Sequence, residues 1–132
     1  MPAAPWTTIN PPDPQREYFV LLTFLPLRHY RSIPRFMFYV MRIMGQLKRT
    51  PGLIGYSLLA ELGRKRFWTL SVWENEPAMR TFVPRVPHGE VMQKLEGKMG
   101  HTAFWHWRAK GNELPLAWKA ALERRATATA LP

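Results

Sequence analysis

The sequence predicts an α+β fold with the element order β-α-β-β-α-β, and three observations carry that prediction. Residues 17–27, EYFVLLTFLPL, are rich in β-branched and aromatic side chains and apolar on both faces, the pattern of a strand in a sheet covered on both sides. Residues 33–49 carry apolar side chains at helical spacing: Ile33, Met37, Val40, Met44 and Leu47 trace one stripe, which Phe36, Tyr39 and Ile43 widen. From Phe67 the period changes to two, with Phe67, Thr69, Ser71 and Trp73 opposed to Trp68, Leu70 and Val72.

Each element has its own local cause. Residues 1–15 are proline-rich, with Trp6 as their large apolar group, and read as an extended arm that docks through that ring or stays mobile. The segment 17–27 is the first strand. Ser32 stands where a helix cap belongs and Pro34 in the first turn, so a helix is expected from about Ile33 to Arg49. Its wide apolar arc, with Met37, Met41 and Met44, suits packing on a sheet or the wall of a pocket, because thioethers fill irregular space. Arg35, Arg42, Lys48 and Arg49 on the same helix also permit a basic amphipathic surface helix in weak contact with a membrane.

Thr50-Pro51-Gly52 ends that helix, and LIGYSLLAEL from Leu53 reads as the second strand, with Ile54, Tyr56, Leu58 and Ala60 facing one way. Gly63 and the basic run Arg64-Lys65-Arg66 make a solvated turn into the third strand. Asn75 can cap a helix that opens with Glu76 and Pro77 and shows Ala78, Met79 and Phe82 as its apolar stripe. Pro84 and Pro87 break it, and a restart at His88 places His88, Met92, Leu95 and Met99 on one face. After Gly100, HTAFWHWRA is the fourth strand, with Ala103, Trp105 and Trp107 opposed to Thr102, Phe104 and His106. Beyond Gly111 a short helix bearing Trp118 is expected to pack on the domain or a partner subunit, and the alanine-threonine tail to fray.

That order is the ferredoxin-like one, a four-stranded antiparallel sheet with both helices on one face. Since the strands are apolar on both faces, the other face requires cover, and a second copy of the same sheet is the simplest cover, so a homodimer is expected. The chain divides into the arm at 1–15, a domain at 16–110, and a terminal helix and tail at 111–132.

Composition narrows the chemistry. The 132 residues are 46% apolar, enough for one core, and the absence of cysteine removes disulfides, thiolate metal sites and cysteine nucleophiles. Nineteen Lys and Arg against nine Asp and Glu give +10, which favours acidic partners, yet the charge is spread along the chain. No run is long and apolar enough to span a membrane and the first residues lack a secretory pattern, so a cytoplasmic location is the default expectation. Glu61, Glu74, Glu76, Glu90 and Glu96 form no evident acid pair. Cofactor fingerprints are absent from the sequence. The third strand, KRFWTLSVW, lacks the glycine and aromatic pattern of an RNA-recognition motif, so nucleic acid is not an expected partner.

Among the histidines, His88 alone shares a helical face with apolar residues and stands at a helix start, where the dipole keeps an imidazole neutral. His106, beside Trp105 and Trp107, reads as structural, and His29 and His101 as solvent-facing. Ser57, Ser71 and Thr69 are strand polar groups that alternation explains as well as ligand binding does.

The stretch TLSVWENEPAMRTF followed by the Pro-His pair resembles the dimeric α+β barrel superfamily, which includes the antibiotic-biosynthesis and haem-degrading monooxygenases, and most of all its spheroidene monooxygenase branch with that branch's uncharacterised relatives. The resemblance covers roughly Glu17 to Arg108. It implies sheets paired into a barrel, with haem or an aromatic substrate between sheet and helices, and it implies His88 as iron ligand or base. Met37, Val40, Met44, Trp73, Phe82, Met92 and Leu95 would line that pocket. The expected function is a monooxygenase-like oxidoreductase acting on a hydrophobic, polycyclic or isoprenoid substrate, with haem as the candidate cofactor. The alternative is a non-catalytic haem- or small-molecule-binding protein on the same barrel.

Overall fold

A computed structural model of the chain describes residues 6–85 and 88–130. Four long antiparallel strands form the frame: β2 (Glu17–Pro26), β3 (Leu53–Glu61), β4 (Arg66–Trp73) and β5 (Ala103–Lys110), adjacent in the order β3-β4-β2-β5. That is the ferredoxin-like order. The sheet has six strands rather than the expected four, because β1 (Thr7–Thr8) pairs with β3 at one edge and β6 (Thr129–Ala130) with β5 at the other. The terminal tail, expected to fray, therefore supplies an edge strand as far as it is described.

Four α-helices are present among the described residues: α1 (Ile33–Leu47), α2 (Glu76–Phe82), α3 (His88–Leu95) and α4 (Trp118–Glu123). Pro34 sits in the first turn of α1 as expected, but Ser32 makes no side-chain cap and instead ends a 3-10 turn, Tyr30–Ser32. Helix α1 stops at Leu47, two residues early; Thr50 folds its hydroxyl back to donate to the Gln46 carbonyl at 2.8 Å, and Gly52 reverses the chain at φ +82°. Asn75 caps α2, accepting the Ala78 N–H at 2.9 Å. The break expected at Pro87 lies outside the described residues.

Alternation along β4 divides the core. On the helix side, Phe19, Leu53, Tyr56, Trp73, Met79 and Phe82 pack with Ile43, Met44 and Leu47 of α1, while Leu27, Phe36 and Phe67 pack with Met37, Val40, Leu95 and Met99. On the opposite side, Tyr18, Val20, Leu22, Trp68, Leu70, Val72 and Trp107 form a second layer. Val20, Leu22, Leu70 and Val72 are wholly buried, each contributing about 1.5–3 kcal/mol of apolar burial.

The cover of that second layer comes from the chain itself. Leu114, Leu116, Trp118, Ala121 and Leu122 pack on it from the C-terminal side and Trp6 from the arm. The Trp118 indole N–H donates to Ser57 Oγ at 3.0 Å, and the Trp6 ring packs against Gly55, where a Cβ would come within 2.6 Å of it. The expectation of a homodimer started from this face being bare within the chain; two short segments of the chain cover part of it. A register shift between Leu53 and Gly55 also turns Ile54 to this side, away from Tyr56, so the second strand does not present the single face its alternation suggests.

Candidate functional site

The site is assembled where α2 ends and α3 begins, against α1. Phe82, in the last turn of α2, is buried between two rings: Trp73 of β4, with centroids 5.3 Å apart, and His88 at the start of α3, at 4.8 Å. Trp73 is fixed in turn by its indole N–H, which donates to Ser71 Oγ at 2.9 Å. Ser71 and Ser57 thus each accept from a tryptophan, on opposite faces of the sheet.

His88 is held at two points. Its backbone N–H donates to Gln46 Oε1 of α1 at 3.0 Å, and its ring Nδ1 lies 2.8 Å from the Val83 carbonyl oxygen. A carbonyl can only accept, so Nδ1 carries the proton and Nε2 keeps its lone pair. No partner for Nε2 stands among the described residues. Burial lowers the imidazole pKa below its ordinary value, outweighing the Val83 bond, which pulls the other way. Its place in the first turn of α3 adds the positive end of a helix dipole, with the same sign. The ring is therefore a neutral base at physiological pH.

On the outer side of Phe82 opens a cavity of about 240 Å³, lined by Thr50, Pro51, Gly52, Glu74, Ala78, Thr81, Phe82 and Arg85. Thr50 and Gln46 link the cavity wall to the backbone at the start of α3: the Thr50 hydroxyl donates to the Gln46 backbone carbonyl, and the Gln46 side-chain oxygen accepts the His88 backbone N–H. Glu74 is tied to Arg16 at 3.1 Å.

The sequence-predicted residues fall into three groups. Trp73, Phe82 and His88 are brought together as one aromatic row, and Met44 joins the same cluster. Met37, Val40 and Leu95 pack in the neighbouring cluster around Phe36 and Phe67. Met92 is not with either: it is 50% exposed, and Val91, at 2%, is the buried residue of α3. The apolar face of this short helix runs through His88, Val91 and Leu95, one position off the predicted stripe. Met41 likewise points outward at 71% exposure. His106, expected to be structural, stacks on Phe19 at 5.3 Å.

Gln46, Val83, Thr50 and Arg85 were not singled out from the sequence. Val83 acts through its carbonyl, which no side-chain pattern encodes, and Gln46 lies 42 positions from His88. Only the packing of α1 on α3 joins them.

No family model matches the chain, and no curated protein matches it in sequence. Solved structures do match. A candidate monooxygenase from Lactobacillus acidophilus NCFM superposes with a TM-score of 0.64 at 13% identity over 96% of this chain and 54% of its own, so this chain spans about half the length of that protein. SnoaB, a cofactor-independent oxygenase from Streptomyces nogalater, superposes with a TM-score of 0.61 at 16% identity, covering 76% of this chain and 99% of SnoaB. A ferredoxin-fold protein from Listeria monocytogenes related to antibiotic biosynthesis monooxygenases gives 0.54 at 21% identity, over 67% of this chain and 55% of that one.

These findings correct the expectation of haem. SnoaB is named a cofactor-independent oxygenase. The iron-ligand role that the resemblance implied for His88 depended on haem; its ring lies tilted against Phe82 and its Nδ1 is tied to the Val83 carbonyl. The chain has the ferredoxin-like fold of structures related to the antibiotic biosynthesis monooxygenases.

Proposed function

We propose that the chain is a monooxygenase-like enzyme that oxidises a hydrophobic, polycyclic aromatic substrate without a bound cofactor, with His88 as the base. The observation that carries this reading is the Val83 bond, which leaves Nε2 as a proton acceptor on a ring that burial keeps neutral. The fold shared with SnoaB supports the reaction class. Phe82 gives the cavity an apolar wall, with Trp73 and Met44 packed behind it.

Such a reaction needs no external reductant. A methylene flanked by aromatic rings and a carbonyl is acidic enough for Nε2 to remove a proton, and the resulting carbanion is electron-rich enough to reduce dioxygen directly. One oxygen atom enters as a ketone and the other leaves as water with the two hydrogens of the methylene. The protein's part is to take the first proton, exclude water and align the ring edge.

The test is oxygen uptake by the protein with chelator present, offered polycyclic ketones that carry such a methylene. Dioxygen consumed in equal amount to ketone formed, and a loss of turnover per folded molecule of roughly a hundredfold in His88→Ala, is the expected result. Uptake that appears only after haemin is added overturns it. Tight binding of the same compounds without uptake assigns the chain to the non-catalytic reading instead.

A further inference from the structure

The outward face of α1 takes no part in the site, and its composition is one-sided. Arg31, Arg35, Phe38, Met41, Arg42, Gly45, Lys48 and Arg49 follow one another at helical spacing along the side turned from the sheet. Phe38 and Met41 are 60% and 71% exposed, large apolar groups with Arg31 and Arg35 before them in sequence and Arg42, Lys48 and Arg49 after. Arg31, Pro34, Arg35, Phe38, Tyr39, Arg42 and Lys94 bound an open groove of about 650 Å³. Lys94 is paired with Glu90 at 2.9 Å, and Glu90 also feels Arg42. Arg31, Arg35, Arg42, Lys48 and Arg49 enter no ion pair among the described residues.

We propose that this face of α1 is a docking surface for an anionic phospholipid bilayer, with Phe38 and Met41 entering the headgroup boundary and the surrounding arginines and lysine meeting the phosphates. Two features select a surface over a single small anion. From Arg35 to Lys48 the cations extend about 20 Å along the helix, farther than one phosphate or carboxylate can bridge. Their centre is apolar as well, which a soluble anion leaves unused and a lipid interface fills. No helix among the described residues is long and apolar enough to cross a membrane, so the contact is peripheral. The proposal stands on α1 and does not depend on His88.

Co-sedimentation of the full chain with vesicles of equimolar phosphatidylcholine and phosphatidylglycerol, against phosphatidylcholine alone, tests it. Binding to the anionic vesicles that weakens as salt rises is expected, together with a loss of roughly thirtyfold in partitioning for Arg35→Gln with Arg42→Gln. Phe38→Ser should also weaken binding while leaving its salt dependence, and circular dichroism would show both variants folded. Equal partitioning of wild type and the double variant, or saturable binding of soluble glycerophosphoglycerol with no binding to vesicles, overturns the proposal; the latter would make the groove a small-anion site.

Discussion

His88 Nδ1 and the Val83 carbonyl oxygen lie 2.8 Å apart, and that one bond decides which ring nitrogen can accept a proton. The donor stands in the first turn of α3 and the acceptor closes α2, so the junction of two short helices, rather than either helix alone, sets the chemistry of the ring.

The imidazole should make stability fall with acid. Its folded pKa lies below its ordinary 6.5 because burial disfavours the charged ring, so the unfolded chain binds the proton more readily. The stabilising effect is fully present above about 6.5 and is lost as pH falls through the folded value. Melting temperatures measured across that range should drop in the wild type more steeply than in His88→Gln. Parallel curves would show that the ring is not buried as described.

Gln46→Ala should cost about 1 kcal/mol of stability, since it leaves the His88 backbone N–H without its acceptor. Urea denaturation measures this. The same variant should reduce oxygen uptake, because the start of α3 is no longer held to α1.

Two glycines should respond in opposite directions to alanine. At Gly55 a Cβ would come within 2.6 Å of the Trp6 ring, so Gly55→Ala expels the arm or distorts the strand at about 1–3 kcal/mol. Gly45, exposed in the interior of α1 with nothing within 4 Å of a Cβ, should gain about 0.5–1 kcal/mol as alanine. Denaturation midpoints of the two variants decide the matter, and similar shifts of the same sign would contradict the docked position of Trp6.

Removal of the chain from Leu114 onward should uncover Trp107, Trp68 and Leu70 and drive self-association through that sheet face. Light scattering on the shortened and full chains would show it. If both associate equally, the terminal helix is not what closes the face.

Much of the frame was legible because its causes are local. The period-two alternation from Phe67 to Trp73, the Asn75 cap and the apolar stripe of α1 each follow from neighbours in sequence, and each stands in the structure. What the sequence concealed depends on contacts between distant segments. Trp6 on Gly55 and Trp118 on Ser57 cover part of the sheet face from which a partner subunit was expected. Ile54 changes sides through a bulge that alternation alone does not reveal. Met92 was assigned to a buried face by a stripe carried on to Met99, but α3 ends at Leu95, and over so short a helix Val91 serves equally well by spacing. His88 was found from its helical position, while its hydrogen-bond partners Val83 and Gln46 were not.

The most direct test is a ¹⁵N NMR titration of the histidine rings, with His88 identified by its loss in His88→Gln. A neutral ring near pH 7, protonated on Nδ1 and titrating below 6.5, is the expected result. A ring protonated on Nε2, or one that titrates above 6.5, would contradict it, because the nitrogen assigned as base would then carry the proton already.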